Sequence, residues 1–572
     1  MRMRTFYGAV MLLPLFALAQ KPATLPNVGE TIEVSIVNVD VFVTDKAGKR
    51  VTGLTQNDFE IYEDGKLRPI TNFAEYRRAT TASVSVTPAA GEQQVVASLP
   101  AAAPRQKRTI TIFIDRLIMR PNKRKEVFDQ LRTTMRTLFQ PGDRASIVTW
   151  ERPANVRVRQ PYTEDVAQLD RVLETLASRG QAAESTSDID DVRREDDAEQ
   201  QREELLRGAG ITSAKGGNMT AMMLAEAALT EMKAKSAAIN SLTSAMSAAE
   251  GQKALIFLSR RFPMNAATEF MTPQRAMAGP PGKDEVLYDT RRFVESVART
   301  ANANGVRVYA IYPAELAGDV VQTPDNASMP NADDPVTSGR EYILLSNELE
   351  ALTMVADRTG GAATWHPAEA IKLLDRMPDD FSTYYSLAYR VTTSGADKAH
   401  SIRVKVKRDG LRVRSRNEFV EKSGETKMGD RVIAQLFGIA TAEPKVPLNV
   451  RVGAATRGRK KRLTIPVSIQ LPIASLTTLP DGNSKRGAFS VYVAWTSGLG
   501  DISDVTHQTQ AFTIRPGDEA RAKNRNFTYD LQIVADDRTD ALAVGVIDEV
   551  SKEFGLARVQ LRTPAVIDNR GR

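Results

Sequence analysis

The apolar positions of this chain follow two rhythms. In EVSIVNVDVFVTD (33–45), Val34 and Ile36, then Val39, Val41 and Val43, take alternate places, with a phase slip near Asn38 of the kind a β-bulge makes. Asp45-Lys46-Ala47-Gly48 reads as a turn. FEIYE (59–63) runs into Asp64-Gly65, a strong hairpin signal. Residues 30–76 therefore predict a small β-module.

From residue 108 the rhythm becomes strand, helix, strand, helix. TITIFID (109–115) is an unbroken apolar run, as a strand buried on both faces requires. Pro121 opens a helix whose Phe128, Leu131, Met135 and Leu138 share one face. ASIVTW (145–150) is the next strand. Val166, Leu169, Leu173 and Leu176 mark a second helix, and Met222, Ala225, Leu229 and Met232 a third. KALIFLS (253–259) and VRVYAIY (306–312) are further strands, separated by a helix carrying Leu287, Val294, Val297 and Ala301. This alternation predicts a doubly wound, mostly parallel sheet in an α/β domain spanning 108–422. Ligands of such sheets sit at the carboxyl ends of the strands, and Asp115 stands at one of them.

The remaining segments differ in texture. Residues 79–107, rich in Ala, Thr, Ser, Val and Pro, read as a linker. Two insertions interrupt the α/β pattern: a mixed-charge excursion at 181–209 and a Pro, Asn and Asp-rich loop at 313–340. Strand patterns return in FSTYYSLAYRV, HSIRVKVKR and LRVRSRNEF, from residue 381. Beyond residue 430 the alternation of Leu463 to Leu471, Phe489 to Trp495 and Phe527 to Ile533 predicts a C-terminal β-sandwich over 430–572. Gly360-Gly361, after Asp357-Arg358-Thr359, reads as a helix C-cap leading into a strand.

Composition narrows the setting. The cationic start MRMR, the apolar stretch 7–19 and Ala17-Leu18-Ala19 before Gln20 read as a secretory signal peptide cleaved after Ala19. No later apolar run is long enough to span a bilayer, so the mature chain is expected in the periplasm or outside the cell. The chain has no cysteine, which excludes disulfides, thiolate metal sites and a cysteine nucleophile. The net charge of +7 is spread over many residues of both signs and does not argue for nucleic acid. RGRKKR (457–462) is a basic run suited to a polyanion or an anionic envelope surface, or else a solvated loop.

Catalytic signatures are scarce. No H-E-x-x-H, G-x-S-x-G or phosphate-binding loop is present. His366, His400 and His507 are far apart and lack metal-ligand spacing. The acidic run Asp188 to Asp191 lacks the glycine and glutamate of a calcium loop and reads as a solvated excursion.

Four segments carry a resemblance: VDVFVTDKAGKRVTGLTQNDFEIYEDGK (39–66), TITIFID (109–115), GQKALIFLSRRFP (251–263), and LTMVADRTGGAATW with YYSLAYR (352–365, 384–390). Over about residues 30–420 the chain resembles the von Willebrand factor type A (VWFA)-related proteins of acidobacteria. That resemblance implies a Mg²⁺ site with Asp-x-Ser-x-Ser in its first loop, a Thr in its second and an Asp in its third. Asp115 matches the first Asp and Thr220 the Thr, but Leu117 and Met119 replace the serines and Arg260 or Arg261 replaces the last acid. Mg²⁺ needs a near-complete octahedron of oxygens, so no metal and no other cofactor is expected here. Either an arginine pairs with Asp115 in place of the ion, or Asp115 only caps the following loop.

The chain is thus read as an exported, non-enzymatic protein for adhesion or protein–protein interaction in the cell envelope. Asp115, Thr220 and Arg260 would mark the edge of its degenerate metal-ion-dependent adhesion site. The protein partner is unnamed by the sequence. Two alternatives stay open: an envelope hydrolase with a carbohydrate-binding sandwich, and a polyanion-binding surface protein.

Overall fold

The structure is a computed structural model of the chain. It describes residues 33–77, 84–85, 107–115, 121–151, 155–178, 217–249, 251–259, 261–268, 286–312, 335–364, 373, 377, 379–381, 383–393, 397–439, 444–457, 462–497, 502–536, 539–561 and 566–567. The signal-peptide segment, the excursion at 181–209 with its acidic run, and His366 lie outside these residues.

The chain begins with β1 (Glu33–Thr44), β2 (Phe59–Glu63), β3 (Lys66–Arg68), β4 (Asn72–Tyr76) and the short β5 (Val84–Ser85). Then come β6 (Arg108–Asp115), α1 (Pro121–Leu138), β7 (Arg144–Glu151), β8 (Asn155–Thr163) and α2 (Val166–Ser178). They are followed by α3 (Gly217–Met246), β9 (Gln252–Leu258), α4 (Arg291–Ala303), β10 (Val306–Ile311), α5 (Pro335–Arg358) and β11 (Ala362–Thr364).

These strands form a six-stranded sheet ordered β11-β10-β9-β6-β7-β8. Every pairing is parallel except β7 with β8. All eight residues of β6 are buried, because it lies between β9 and β7 and both faces of the sheet are covered. Period-2 alternation divides its side chains. Ile110, Ile112 and Ile114 pack with Phe128, Leu131, Met135 and Leu138 of α1 and with Leu169, Leu173 and Leu176 of α2. Phe113 faces the other way, into a core with Met232 and Ile239 of α3, Val294 and Val297 of α4, and Leu352 and Val355 of α5. Gly360, at φ +71°, ends α5, and its neighbour Gly361 packs so tightly that a Cβ there would stand 1.8 Å from the Val308 carbonyl oxygen. The residues 335–340, expected in a loop, open α5 instead.

The chain then returns to strands: β12 (Tyr384–Thr393), β13 (Lys398–Val406), β14 (Arg412–Ser415) and β15 (Glu418–Glu421). The span 108–422 expected for the α/β domain includes them, but they pair with the N-terminal strands. One sheet runs β14-β1-β12-β4-β5, the other β15-β13-β2-β3. Val39, Val41, Phe59, Ile61, Tyr385, Leu387 and Val404 share their core. The module expected over 30–76 is therefore completed by strands from after residue 384, and part of the expected linker is the edge strand β5. No bulge falls near Asn38, since β1 and β12 stay in one register from Glu33 to Val41. The buried face takes Val37, Val39, Val41 and Val43, and Ile36 points to solvent.

Phe42 of β1 ties this unit to the α/β sheet. The guanidinium groups of Arg50, Arg307 and Arg414 lie 5.0, 5.0 and 4.6 Å from its ring centre.

Next comes α6 (Gly424–Leu436), capped by the Ser423 hydroxyl accepting from the Thr426 amide. The rest is β16 (Asn449–Val452), β17 (Ala455–Arg457), β18 (Arg462–Pro472), β19 (Leu479–Asp481), β20 (Ser484–Ser497), β21 (Thr506–Ile514), α7 (Glu519–Lys523), β22 (Asn526–Asp536), β23 (Thr539–Asp548), β24 (Phe554–Gln560) and β25 (Val566–Ile567). These strands form two five-stranded sheets. Ile465, Val467 and Ile533 of one meet Val491, Val493 and Val544 of the other in a single core. Helix α6, absent from the sequence reading, is covered on two sides. Its Met428, Val432 and Leu436 pack on Tyr492, Ala494 and Ala543, while Ala434 joins the α/β core.

Candidate functional site

The sheet order places β6 at the centre, and β6 ends in Asp115. Asp115 pairs in register with Trp150, the penultimate residue of β7. On the other side β9 ends at Leu258, and Ser259 follows. The carboxylate, the indole and the hydroxyl thus gather at one edge because three parallel strands stop together.

The cation at this edge is Lys235, from the middle of α3. Its ammonium donates to Asp115 Oδ2 at 2.5 Å and to the Arg261 carbonyl oxygen at 2.8 Å. Ser259 Oγ donates to the same Oδ2 at 2.9 Å. Glu231, one turn earlier on α3, lies 3.4 Å from the ammonium, and the Trp150 ring centre is 5.9 Å away. Asp115 Oδ1 has no hydrogen-bond partner among the described residues. Both side chains are 0% exposed. Burial pushes the Asp115 carboxyl above its ordinary range; the Lys235 ammonium opposes this, and the negative charge of Glu231 adds to it.

Among the described residues the cation bonded to Asp115 is Lys235, and Arg261 contributes a main-chain oxygen; Arg260 is outside the described residues. Thr220 is not brought to Asp115. It lies in the first turn of α3, about 22 Å along the helix axis from Lys235 at about 1.5 Å per residue. A lysine side chain spans a third of that distance at most. Lys235 was legible in one respect: it shares the helix face of the buried Met232, Ser236, Ile239 and Leu242. A lysine at the apolar phase of a helix needs a buried partner, and Asp115 supplies it.

The described groups do not suit a divalent cation. At this edge stand the carboxylates of Asp115 and Glu231, one hydroxyl, one main-chain oxygen and an ammonium that already uses Asp115 Oδ2. Mg²⁺ asks for an octahedron of oxygens, and a fixed positive charge in contact with its main ligand repels it. A pair closed to solvent is also not placed to touch a substrate.

The other candidates resolve separately. His507 stacks on Tyr492 at 5.2 Å, with Glu425 at 3.1 Å. His400 stands at the hairpin of β2 and β3, with Asp64 Oδ2 at 2.8 Å. Of the basic run, Arg457 ends β17 and Arg462 begins β18, and the residues between lie outside the description. No helix among the described residues is long and apolar enough to cross a membrane.

No protein-family model matches the chain, and no curated protein matches it. Among solved structures it is similar to the conserved hypothetical protein BatB from Bacteroides thetaiotaomicron, at 10% identity and a TM-score of 0.22, over 48% of this chain and 98% of that one. It is similar also to the vWF domain of the type V pili tip protein Mfa5 from Porphyromonas gingivalis, at 9% identity and a TM-score of 0.24, over 48% and 95%. The pilus adhesin SpaC from Lactobacillus rhamnosus GG aligns at 10% identity and a TM-score of 0.25, over 88% of this chain and 57% of that one.

Proposed function

We propose that the chain is an exported, non-enzymatic interaction protein of the cell envelope, built on a doubly wound type A-like unit whose adhesion-site metal is replaced by a tethered ammonium. The C-terminal sheets are read as a β-sandwich. The observation that carries this reading is the buried Lys235–Asp115 pair at the carboxyl end of the central strand. A metal-dependent adhesion site presents its ion to solvent and leaves a position open for a partner's carboxylate. Here the positive charge is supplied by the chain and lies at 0% exposure, so it braces the loop edge instead of meeting the partner. Partner contacts then belong to the surrounding loops and do not need Mg²⁺.

The test is calorimetric titration of the full chain with Mg²⁺, beside Asp115→Ala, with capture from envelope extract in Mg²⁺-free and Mg²⁺-containing buffer. The reading expects no saturable Mg²⁺ heat in either protein and the same captured partner in both buffers. Saturable Mg²⁺ binding that disappears in Asp115→Ala, or capture only when Mg²⁺ is added, overturns it.

A further inference from the structure

A second cluster of chemistry-bearing groups lies at the hairpin of β2 and β3, in the other unit of the molecule. Glu63 ends β2, Asp64 begins the turn with φ +48°, and His400 comes from β13, which pairs with β2. One ligand atom from each of the three lies within 4.8 Å of the others. His400 Nδ1 is 2.8 Å from Asp64 Oδ2 and 3.5 Å from Glu63 Oε1. Donor atoms about 2.0–2.1 Å from a tetrahedral zinc ion stand about 3.3 Å from each other, and the two separations from His400 Nδ1 bracket that value.

Each ligand is held from behind. Asp64 Oδ1 accepts from the Ser401 amide at 2.9 Å and from its hydroxyl at 3.3 Å, which leaves Oδ2 turned to the histidine. Arg68 Nε donates to Glu63 Oε2 at 2.6 Å, on the side away from the oxygen that faces His400. The His400 ring stacks on Phe419 at 5.0 Å and 16°. Its far nitrogen, Nε2, is buried without a hydrogen-bond partner and lies 3.7 Å from Glu421 Oε2. A carboxylate behind a histidine is the usual outer support of a metal-bound imidazole, and Glu421 stands on that side of the ring, 3.7 Å away and short of a hydrogen bond.

Negative charge gathers around the imidazole. Three carboxylates, Glu63, Asp64 and Glu421, stand within 4 Å of the imidazole, and Arg68 is bonded to Glu63. We propose that Glu63, Asp64 and His400 form a zinc site that clamps the β2–β3 hairpin to β13, with the fourth position open at the exposed side of Asp64. An imidazole with two carboxylates favours Zn²⁺ over Mg²⁺ and Ca²⁺, which take oxygen sets.

The experiment is calorimetric titration of the full, chelator-treated chain with Zn²⁺, followed by Co²⁺ and its visible spectrum. Asp64→Asn keeps the turn and the Ser401 hydrogen bonds, so it guards against loss of fold in His400→Gln. The expected result is one Zn²⁺ bound at micromolar affinity or tighter, weakened by at least about tenfold in both variants. Mg²⁺ does not compete, and Co²⁺ gives the intense visible bands of a four-coordinate site. Zinc binding at millimolar levels only, or tight binding that survives both Asp64→Asn and His400→Gln, overturns the proposal.

Discussion

Lys235 reaches from the middle of α3 to hold Asp115 Oδ2 at 2.5 Å, and neither side chain meets solvent. Removing one member leaves the other charge buried without its direct partner, with only Glu231 at 3.4 Å near the ammonium, and breaking such a pair costs about 3–5 kcal/mol. Asp115→Asn and Lys235→Met should each destabilise the α/β unit by that amount. The double variant should cost clearly less than the two added together, because no uncompensated charge remains. Urea unfolding followed by tryptophan emission reads all three, and simple additivity would sink the pairing.

Helix α6 sits almost in contact with the backbone of β23. A Cβ at Gly545 would stand 2.4 Å from Met428 Cε and 2.6 Å from Val432 Cγ2. The methionine end can swing aside, but the β-branched valine cannot. Gly545→Ala should cost about 1–3 kcal/mol, and Met428→Ala in the same chain should recover part of it. An unchanged thermal midpoint in Gly545→Ala would show that α6 does not dock there.

Acid stability should depend on the link between α1 and α2. Arg132 holds both oxygens of Asp170 at 2.9 Å, and Arg136 approaches the same carboxylate at 3.0 Å. The Arg132 hydrogen bonds bring the Asp170 carboxyl down to about 2. An aspartate in the unfolded chain titrates near about 3.9. Between these values the folded state binds fewer protons, so the stabilisation is whole above about pH 4 and is lost as the pH falls toward 2. Unfolding curves of the parent chain and Asp170→Asn should differ at neutral pH and converge near the acid end. Curves that run parallel throughout would contradict this.

The alkaline side carries the opposite sign. Lys253, at the start of β9, donates to the carbonyl oxygens of Ser247 and Asn304 at 3.2 and 3.1 Å. Burial brings its ammonium down to about 8, helped by the positive charges of Lys422 and Arg416. The unfolded lysine keeps its proton to about 10.4. Since the unfolded state binds more protons in that window, stability should rise with pH from about 8 to about 10. Lys253→Met should flatten that rise. Denaturation midpoints across this range that fall equally in both proteins would refute it.

The α/β unit was largely legible because its signals are local. TITIFID is apolar at every place a doubly covered strand needs, and Phe128, Leu131, Met135 and Leu138 keep a helical period that the core confirms. What the chain does not spell out is partnership across distance. Nothing in YYSLAYR says that Leu387 stands opposite Val39, so the strands after residue 381 were grouped with the wrong unit. The same limit governed the sites. Asp115 was visible at its strand end, but Lys235 lies 120 residues away in a lysine-bearing helix. His400 seemed isolated because its neighbours Glu63 and Asp64 come from the first hairpin.

The position of β12 between β1 and β4 has a consequence for how the protein is made. Leu54 and Tyr385 touch across 331 residues of sequence, so the first strands to emerge must wait for almost the whole α/β unit before their sheet can close. Until then β1 and β4 carry open edges, the kind that invite pairing with a neighbouring chain. The α/β unit, built from near-neighbour parallel crossovers, can settle first and carry β12 to the place where β1 is waiting. Maturation then depends on keeping residues 33–76 apart from other copies until residue 384 arrives, which makes a holding chaperone more valuable to this chain than to one whose modules close in order.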